Sequence, residues 1–179
     1  IFLPLYIDGS NMFREAGAIL SFDPNLRFPL WPDREQLRQT VWQFLPLTHI
    51  LKLSDEELPF LTGTEDIEAA LPALFTGDVQ LVLFTCGSKG ARAYTRTASA
   101  HARSPKVTAV DTTGAGDAFF AGITMGLTYG KTMDEACEIG TRLSASVICT
   151  SENVCPRFLP SEFGLEPGRA AGEQLTFDI

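Results

Sequence analysis

Hydrophobic positions along the chain alternate between short strand-like runs and longer stripes with helical spacing. The runs cover residues 18–22, 50–53, 81–86, 91–95 and, more weakly, 99–103. The stripes cover residues 33–45, 54–61, 67–75, 115–129 and 132–147. Strands that alternate with helices predict an α/β fold, in which a parallel sheet has helices on both faces and ligands bind beyond the carboxyl ends of the strands.

Polar residues, glycine and proline mark several boundaries of these elements. Asp33 is the expected N-cap of the first helix, and Gly63 is expected to end the second. Pro72 is expected to kink or shorten the third helix. Thr132 and Glu135 have the spacing of a capping box, which predicts the start of the last long helix.

The composition narrows the classes of fold and partner. The chain has 179 residues, 45% of them hydrophobic and 20% charged, which is typical of one globular domain with a single core. Its formal net charge of −8 argues against nucleic acid and anionic membrane surfaces, because both attract clustered Lys and Arg. We therefore expect neither a nucleic-acid partner nor a membrane partner.

The four cysteines have no C-x-x-C spacing and only two histidines accompany them, so a zinc site is not expected. Cys86, Cys137 and Cys149 lie in apolar patterns and are typical of small buried thiols in a reducing compartment, which we expect to be the cytoplasm. The first residues, IFLPLYIDGSN, are apolar over too short a stretch for a signal peptide or a membrane span. Because the chain does not begin with Met, we expect a fragment, or the product of a frame that starts inside a longer gene.

The stretch DTTGAGDAFFAG, from Asp111 to Gly122, places a glycine-rich turn before an apolar helix. The first N–H groups of a helix have no partner within the helix, so an anion can approach them closely and the helix dipole favours its charge. A carboxylate at Asp117 would suit a base that takes a proton from a hydroxyl attacking a phosphoryl group. The alternative is that Asp111 and Asp117 only cap the start of the helix.

Two other phosphate-binding motifs are excluded by their spacing. A dinucleotide fingerprint would need a third glycine where Phe119 stands. The string Gly130-Lys131-Thr132 is similar to the end of a P-loop, but the first glycine of that motif would fall on Met125.

The string DTTGAGDAFFAG resembles the carboxyl-terminal signature of the ribokinase-like (PfkB) carbohydrate kinases. The resemblance extends, in the family's order and spacing, to the strings SFDPNLRFPLW, KLSDEELPFLTG and LVLFTCGSKGARAYT, which are most similar to the fructokinase branch. It runs from about Ala16 to Val154 and covers only the second half of a family member. It implies a three-layer α/β/α fold with a mostly parallel sheet, truncated on its amino-terminal side. Residues 1–179 are then a single partial kinase domain, with residues 155–179 as a peripheral tail.

The resemblance implies ATP-dependent phosphorylation of a sugar hydroxyl, most of all of fructose, with Mg²⁺ and K⁺ as further cofactors. Asp117 would be the catalytic base, and the amides of Gly114, Ala115 and Gly116 would form the anion hole for the transferred phosphoryl group. The nucleotide site would be lined by Thr85, Gly87, Ser88, Lys89 and Gly90. Asn25 and Arg27 would face the phosphates or the substrate.

Metal-binding positions follow from the same resemblance. Asp111 and Thr113 match positions that help to hold a monovalent cation. The family's Asn-x-x-Glu motif is here Ser54-x-x-Glu57, and Glu57 could still act on Mg²⁺ through metal-bound water. Simpler interpretations stay open, since Gly87 and Gly90 could only shape a hairpin and Ser54-x-x-Glu57 is also a capping box.

The chain departs from the family in two further places. The string SVICTSENVCP lacks the family's Lys/Arg-Gly-Ala pattern, and nothing matches the half that carries the sugar pocket and the lid. We therefore expect this chain alone to phosphorylate no sugar at a useful rate, and to associate through an exposed strand edge near residues 18–22. The alternatives to a fructokinase-like function are another sugar or nucleoside kinase of the same fold, or a truncated non-catalytic nucleotide-binding relic. We expect the full-length form to be a homodimer.

Overall fold

The computed structural model describes residues 3–152, 154–156 and 158–165. Six α-helices and five strands lie in this part of the chain. The helices are α1 (Leu3–Glu15), α2 (Arg34–Phe44), α3 (Glu57–Thr62), α4 (Ile67–Leu74), α5 (Ala115–Thr128) and α6 (Met133–Ile148). The strands are β1 (Ser21–Phe22), β2 (Ile50–Ser54), β3 (Leu81–Thr85), β4 (Ala91–Tyr94) and β5 (Ser99–Ala102), in the sheet order β1-β2-β3-β4-β5. The chain divides into a first unit, residues 1–84 with 94–97, and a second unit, residues 85–93 with 98–179.

The first unit contains the parallel pair that the sequence predicts. Strand β1 pairs with β2, with Ser21 opposite Ile50 and Phe22 opposite Leu51. Its core is formed by side chains with almost no exposed surface, among them Leu51, Leu53, Leu58, Leu74 and Val82. These residues come from β2, α3, α4 and β3, so alternating strands and helices bury one continuous apolar region.

The boundary residues of the first unit behave largely as expected. The Asp33 carboxylate accepts a hydrogen bond from the Gln36 amide at 3.0 Å and caps α2. Gly63 ends α3 with a positive φ of 76°, which costs glycine little. Pro72 does not shorten its helix, because α4 continues to Leu74 and the proline lies in its last turn.

The second unit is built around the packing of α5 against α6. A side chain at Gly122 would place its Cβ 2.8 Å from the Gly140 Cα, so two facing glycines let the helix backbones approach each other. The expected capping box begins α6, since the Thr132 amide donates to the Glu135 carboxylate at 2.8 Å and the Glu135 amide donates back at 3.3 Å. This packing fixes the axis of α5 and therefore the position of the glycine-rich turn at its start.

Three elements differ from the sequence-based predictions. Helix α1 was not predicted, because Gly9, Ser10 and Asn11 have low helix propensity and interrupt its apolar pattern. Strand β1 has two residues rather than the five of residues 18–22. Because ligands of a parallel sheet bind beyond the carboxyl ends of its strands, we expect the turn before α5 to follow a strand, but it follows an irregular segment, residues 103–110. Within the described residues, no helix is both long and apolar enough to cross a membrane.

Candidate functional site

The glycine-rich turn at the start of α5 has a backbone geometry that its sequence dictates. The Ala115 amide donates to the Thr112 carbonyl at 3.2 Å, and Gly114 between them has φ 80° and ψ −4°. These angles are those of the third position of a type II turn, which glycine favours because other side chains are strained there. Gly114 is also the N-cap of α5, so the turn leads directly into the helix.

Asp111 and Thr113 are in direct contact on the amino-terminal side of this turn. The Thr113 amide donates to the Asp111 carboxylate at 2.8 Å. Hydrogen bonds from the Thr113 amide and hydroxyl hold the pKa of Asp111 below its usual range, so the carboxylate is ionised at neutral pH. The Val110 and Asp111 amides both donate to the Ile148 carbonyl, which ties the turn to the end of α6.

Asp117 is exposed in the first turn of α5, next to backbone amides that have no acceptor within the helix. The first α-helical bond is donated by the Ala118 amide to the Gly114 carbonyl at 2.9 Å. Of the amides predicted to form the anion hole, that of Ala115 is already bonded to Thr112. The amide of Gly116 lies at the helix start, where the dipole favours an anion.

The loop predicted to line the nucleotide site follows β3 and is closed by glycines. Gly87, Ser88 and Lys89 form an exposed 3₁₀ turn, and the Cys86 amide donates to the Gly90 carbonyl at 2.8 Å. Gly87 has φ 50° and Gly90 has φ 97°. A Cβ at Gly90 would lie 2.2 Å from the Ala102 carbonyl oxygen. These glycines therefore shape the turn of the hairpin, and the role of the loop in nucleotide binding stays a prediction.

A cavity of about 420 Å³ in the second unit was not predicted from the sequence. It is lined by His101, Ala102, Arg103, Pro105, Glu138, Thr141 and Arg142. The Arg142 guanidinium is held by a hydrogen bond to the Glu162 carbonyl at 2.9 Å and lies 4.7 Å from the centre of the Phe163 ring. Gly90 packs against Ala102 and Arg103, so the cavity adjoins the nucleotide loop. Its lining comes from two distant segments without a shared motif, which is why sequence patterns missed it.

Asn25, Arg27 and Glu57 belong to the first unit, where Glu57 is bonded to the Leu26 amide, which lies between the other two in the chain. Asn25 and Arg27 are exposed, whereas Glu57 is only 7% exposed. Glu57 Oε1 accepts from the Leu26 amide at 2.8 Å, and Oε2 accepts from the Ser54 amide at 2.8 Å and the Ser54 hydroxyl at 2.9 Å. The Glu57 amide donates to the Ser54 hydroxyl in return, at 3.3 Å, so the reciprocal bonds of a capping box are present. The predicted helix start at Ser54 is nevertheless wrong, because Ser54 ends β2 and α3 begins at Glu57, with Glu56 as its N-cap.

The hydrogen bonds and the burial of Glu57 decide whether it can bind a metal ion directly. Over the described ranges, no three His, Cys, Asp or Glu side chains lie close enough together to hold a metal ion. Glu57 already accepts three hydrogen bonds from the protein and is buried. A magnesium ion requires near-octahedral oxygen ligands at short distances, so Glu57 does not fit the role of a direct ligand.

The comparison with known protein families is decisive for the identity of the chain. Its sequence matches the model of the "pfkB family carbohydrate kinase" over residues 6–157. The chain belongs to this family. It is 40% identical over 174 residues to fructokinase-2 of Solanum habrochaites, a match that covers 96% of this chain and 51% of that protein. The chain spans about half the length of the curated relatives it matches over most of its own length.

Solved structures of family members have the same fold. The fructokinase of Vibrio cholerae O395 in its fructose, ADP and calcium ion bound form is 34% identical, with a TM-score of 0.75 over 82% of this chain and 49% of that one. The aminoimidazole riboside kinase of Salmonella enterica, complexed with aminoimidazole riboside and an ATP analog, is 28% identical, with a TM-score of 0.76 over 88% of this chain and 55% of that one. The expected ribokinase-like α/β fold is confirmed.

Proposed function

We propose that this chain is the ATP-binding part of a sugar kinase, which transfers the γ-phosphoryl group of ATP to a hydroxyl of fructose. The observation that carries the proposal is the turn at Gly114, which presents the exposed carboxylate of Asp117 beside the free amides at the start of α5. A site for binding alone would gain nothing from a carboxylate next to bound phosphate. The fructokinases among the relatives, and the fructose-bound neighbour, favour fructose as the acceptor.

In this proposal, Asp117 is the catalytic base. Its carboxylate accepts the proton of the sugar hydroxyl as the hydroxyl oxygen bonds to the γ-phosphorus and the bond to the bridging β-phosphate oxygen breaks. The amides of Gly114 and Gly116 hold the charge of the transferred group. The amide of Ala115 contributes only when its hydrogen bond to the Thr112 carbonyl is broken.

The nucleotide would bind along the second unit. The loop of Gly87, Ser88, Lys89 and Gly90 lies between the end of β3 and the cavity, and we assign it, with Thr85, to the ribose and phosphates. The cavity volume of about 420 Å³ lies within the range of small-molecule sites, so we assign the adenosine part of ATP to it.

Metal ions enter the proposal as cofactors of ATP. Mg²⁺ supplies charge neutralisation on the phosphates when it is bound with the nucleotide. We propose that it is held mainly by the phosphates and water, with Glu57 outside its direct ligands. The ionised Asp111 and the adjacent Thr113 would hold K⁺ behind the anion hole. A cytoplasmic location and a homodimer of the longer form remain predictions.

The proposal is tested with γ-labelled ATP and purified 179-residue chain, because label transfer detects slow reactions. Fructose should accept the label in preference to other sugars, and Asp117→Asn should lower the transfer rate by about 10²-fold to 10⁴-fold, the usual contribution of a general base. Asp134→Asn is the matched control, since Asp134 is an exposed aspartate in the first turn of α6. Transfer that survives Asp117→Asn would refute the assignment of the base.

The second candidate is a nucleoside kinase of the same fold, which the riboside-bound neighbour favours. Ribosides are therefore included in the acceptor panel, and a riboside that accepts label faster than fructose would select this candidate. Tight ATP binding with neither transfer to an acceptor nor hydrolysis of ATP would instead favour a non-catalytic nucleotide-binding protein.

A further inference from the structure

Buried charged side chains surround one loop of the first unit, Asp23–Arg27, which carries the exposed residues Asn25 and Arg27. The Lys52 ammonium lies 3.0 Å from Asp23 Oδ2 and 3.2 Å from Oδ1. The side chains of Lys52 and Asp23 are only 8% and 12% exposed. A buried ion pair requires good geometry, because either charge alone would be poorly solvated there. The loop is therefore anchored to β2 at its first residue.

The other end of the loop is anchored by Glu57. One carboxylate oxygen of Glu57 accepts from the Leu26 amide at 2.8 Å, while the other accepts from the amide and hydroxyl of Ser54. Glu57 thus joins the loop, the end of β2 and the start of α3. Hydrogen bonds to a charged acceptor are stronger than those between neutral groups, so this anchor is a stable one.

Between the two anchors, the backbone takes an uncommon conformation. Asn25 has φ 42°, the one non-glycine residue with positive φ in the described part of the chain. Its amide donates to Asp23 Oδ1 at 3.1 Å, the oxygen that Lys52 also contacts. A positive φ at a non-glycine residue persists only where its surroundings determine it. The two anchors provide those surroundings.

We propose that Lys52 and Glu57 are positioning residues, and that Glu57 does not act as a magnesium ligand. Lys52 and Glu57 hold the loop Asp23–Arg27 so that the side chains of Asn25 and Arg27 are preorganised for binding. The inference rests on the proposed function, together with the role that the family resemblance implies for Asn25 and Arg27, which is to face the phosphates or the substrate. It follows from the hydrogen bonds of Glu57, whose acceptor capacity is largely used by protein donors. The carboxylate of Glu57, which the family motif alone would place near the metal, thus has a structural role.

The first test is amide hydrogen exchange of the chain without ligand, measured by NMR. Glu57→Gln should speed exchange of the Leu26 amide at least tenfold, since the loss of one hydrogen bond to a charged group is worth about that factor. The control is Glu56→Gln, because Glu56 is exposed and its side chain makes no capping bond. Ser54→Ala, a milder change, should speed exchange of Leu26 in the same direction by a smaller factor.

The ion-pair anchor is tested in the same experiment. Lys52→Met should speed exchange of the Asn25 amide, whereas Lys106→Met, at an exposed lysine, should leave it within twofold. Unchanged exchange at Leu26 in Glu57→Gln, or at Asn25 in Lys52→Met, would overturn the inference.

The second test separates positioning from metal binding. ATP affinity is measured by calorimetry with Mg²⁺ and with EDTA, for the parent chain, Glu57→Gln, Arg27→Ala and the double variant. We expect Glu57→Gln to weaken ATP binding by the same factor in both conditions, and to add little once Arg27 is already alanine. A loss confined to Mg²⁺ would make Glu57 a metal ligand and overturn the inference. If the parent chain bound no ATP, the proposed function would fail, while the exchange experiment would still decide whether Glu57 and Lys52 hold the loop.

Discussion

The close approach of α5 and α6 makes a sharp prediction for Gly122→Ala. The new Cβ would lie 2.8 Å from the Gly140 Cα and 2.8 Å from the Leu143 Cδ1. The Gly140 contact involves backbone, which cannot rotate away, so the helices must separate. Overpacking of this kind costs roughly 1–3 kcal/mol, while alanine gains up to about 1 kcal/mol over glycine in a helix. We expect a net loss of about 1–2 kcal/mol in the free energy of unfolding.

A matched control is available in α1. Gly9 is also helical, but nothing lies within 4 Å of the Cβ that alanine would add. Gly9→Ala should therefore keep only the propensity gain and stabilise the chain by up to about 1 kcal/mol. Urea unfolding followed by circular dichroism measures both variants. If Gly122→Ala were as stable as Gly9→Ala, the close packing that positions the glycine-rich turn would be wrong.

Three further predictions concern the turn and the thiols. Gly116→Val should weaken ATP binding by at least tenfold, because a β-branched side chain obstructs the amides at the start of α5. The control Ala121→Val, at an exposed position of the same helix, should leave ATP binding unchanged. Calorimetry measures the ATP affinity of both variants. The Thr113 amide donates to the Asp111 carboxylate, so its NMR resonance should report the titration of Asp111. The midpoint should lie below about 3.9, the ordinary pKa of Asp, because the pKa of Asp111 is lowered in the folded chain. Asp111→Asn should abolish the transition. The stabilising contribution of Asp111 is then present above the ordinary pKa and lost as pH falls through the lowered one. Burial raises the pKa of the Cys137 thiol to about 12. Cys149, which its apolar pattern predicts to be buried, is instead exposed at the C-cap of α6. At pH 8 a thiol reagent should therefore modify Cys149 and leave Cys137 unmodified until the chain unfolds, and rapid modification of Cys137 in the folded chain would contradict its burial.

The parts of the fold that local signals determine could be predicted from the sequence. The apolar run of β3 and the capping box of α6 depend on neighbours within a few residues. The turn at Gly114 was predicted because glycine is required by the backbone itself. The identity of the anion-hole amides was less certain, since the bond of Ala115 to Thr112 is a matter of turn geometry rather than composition.

The features that depend on distant contacts could not be predicted in this way. The Asp23–Lys52 pair joins residues 29 apart, and Lys52 lies in a strand whose pattern gave no indication that its charge is buried. Glu57 fitted both a capping box and a metal-related motif, and only the Leu26 amide bond separates these interpretations. The cavity beside Arg103 and Arg142 exists because β5 packs against α6.

The most direct measurement of the central claim is the ATP affinity of Asp117→Asn in the 179-residue chain, with Asp134→Asn as control. If phosphate binds at the start of α5 beside Asp117, removal of one negative charge at a few ångströms should tighten ATP binding by about threefold to tenfold. The tightening should shrink at high salt, because exposed charges are screened. Asp134→Asn should change the affinity by less than twofold. Loss of ATP binding in Asp117→Asn, or equal effects of the two substitutions, would contradict the account.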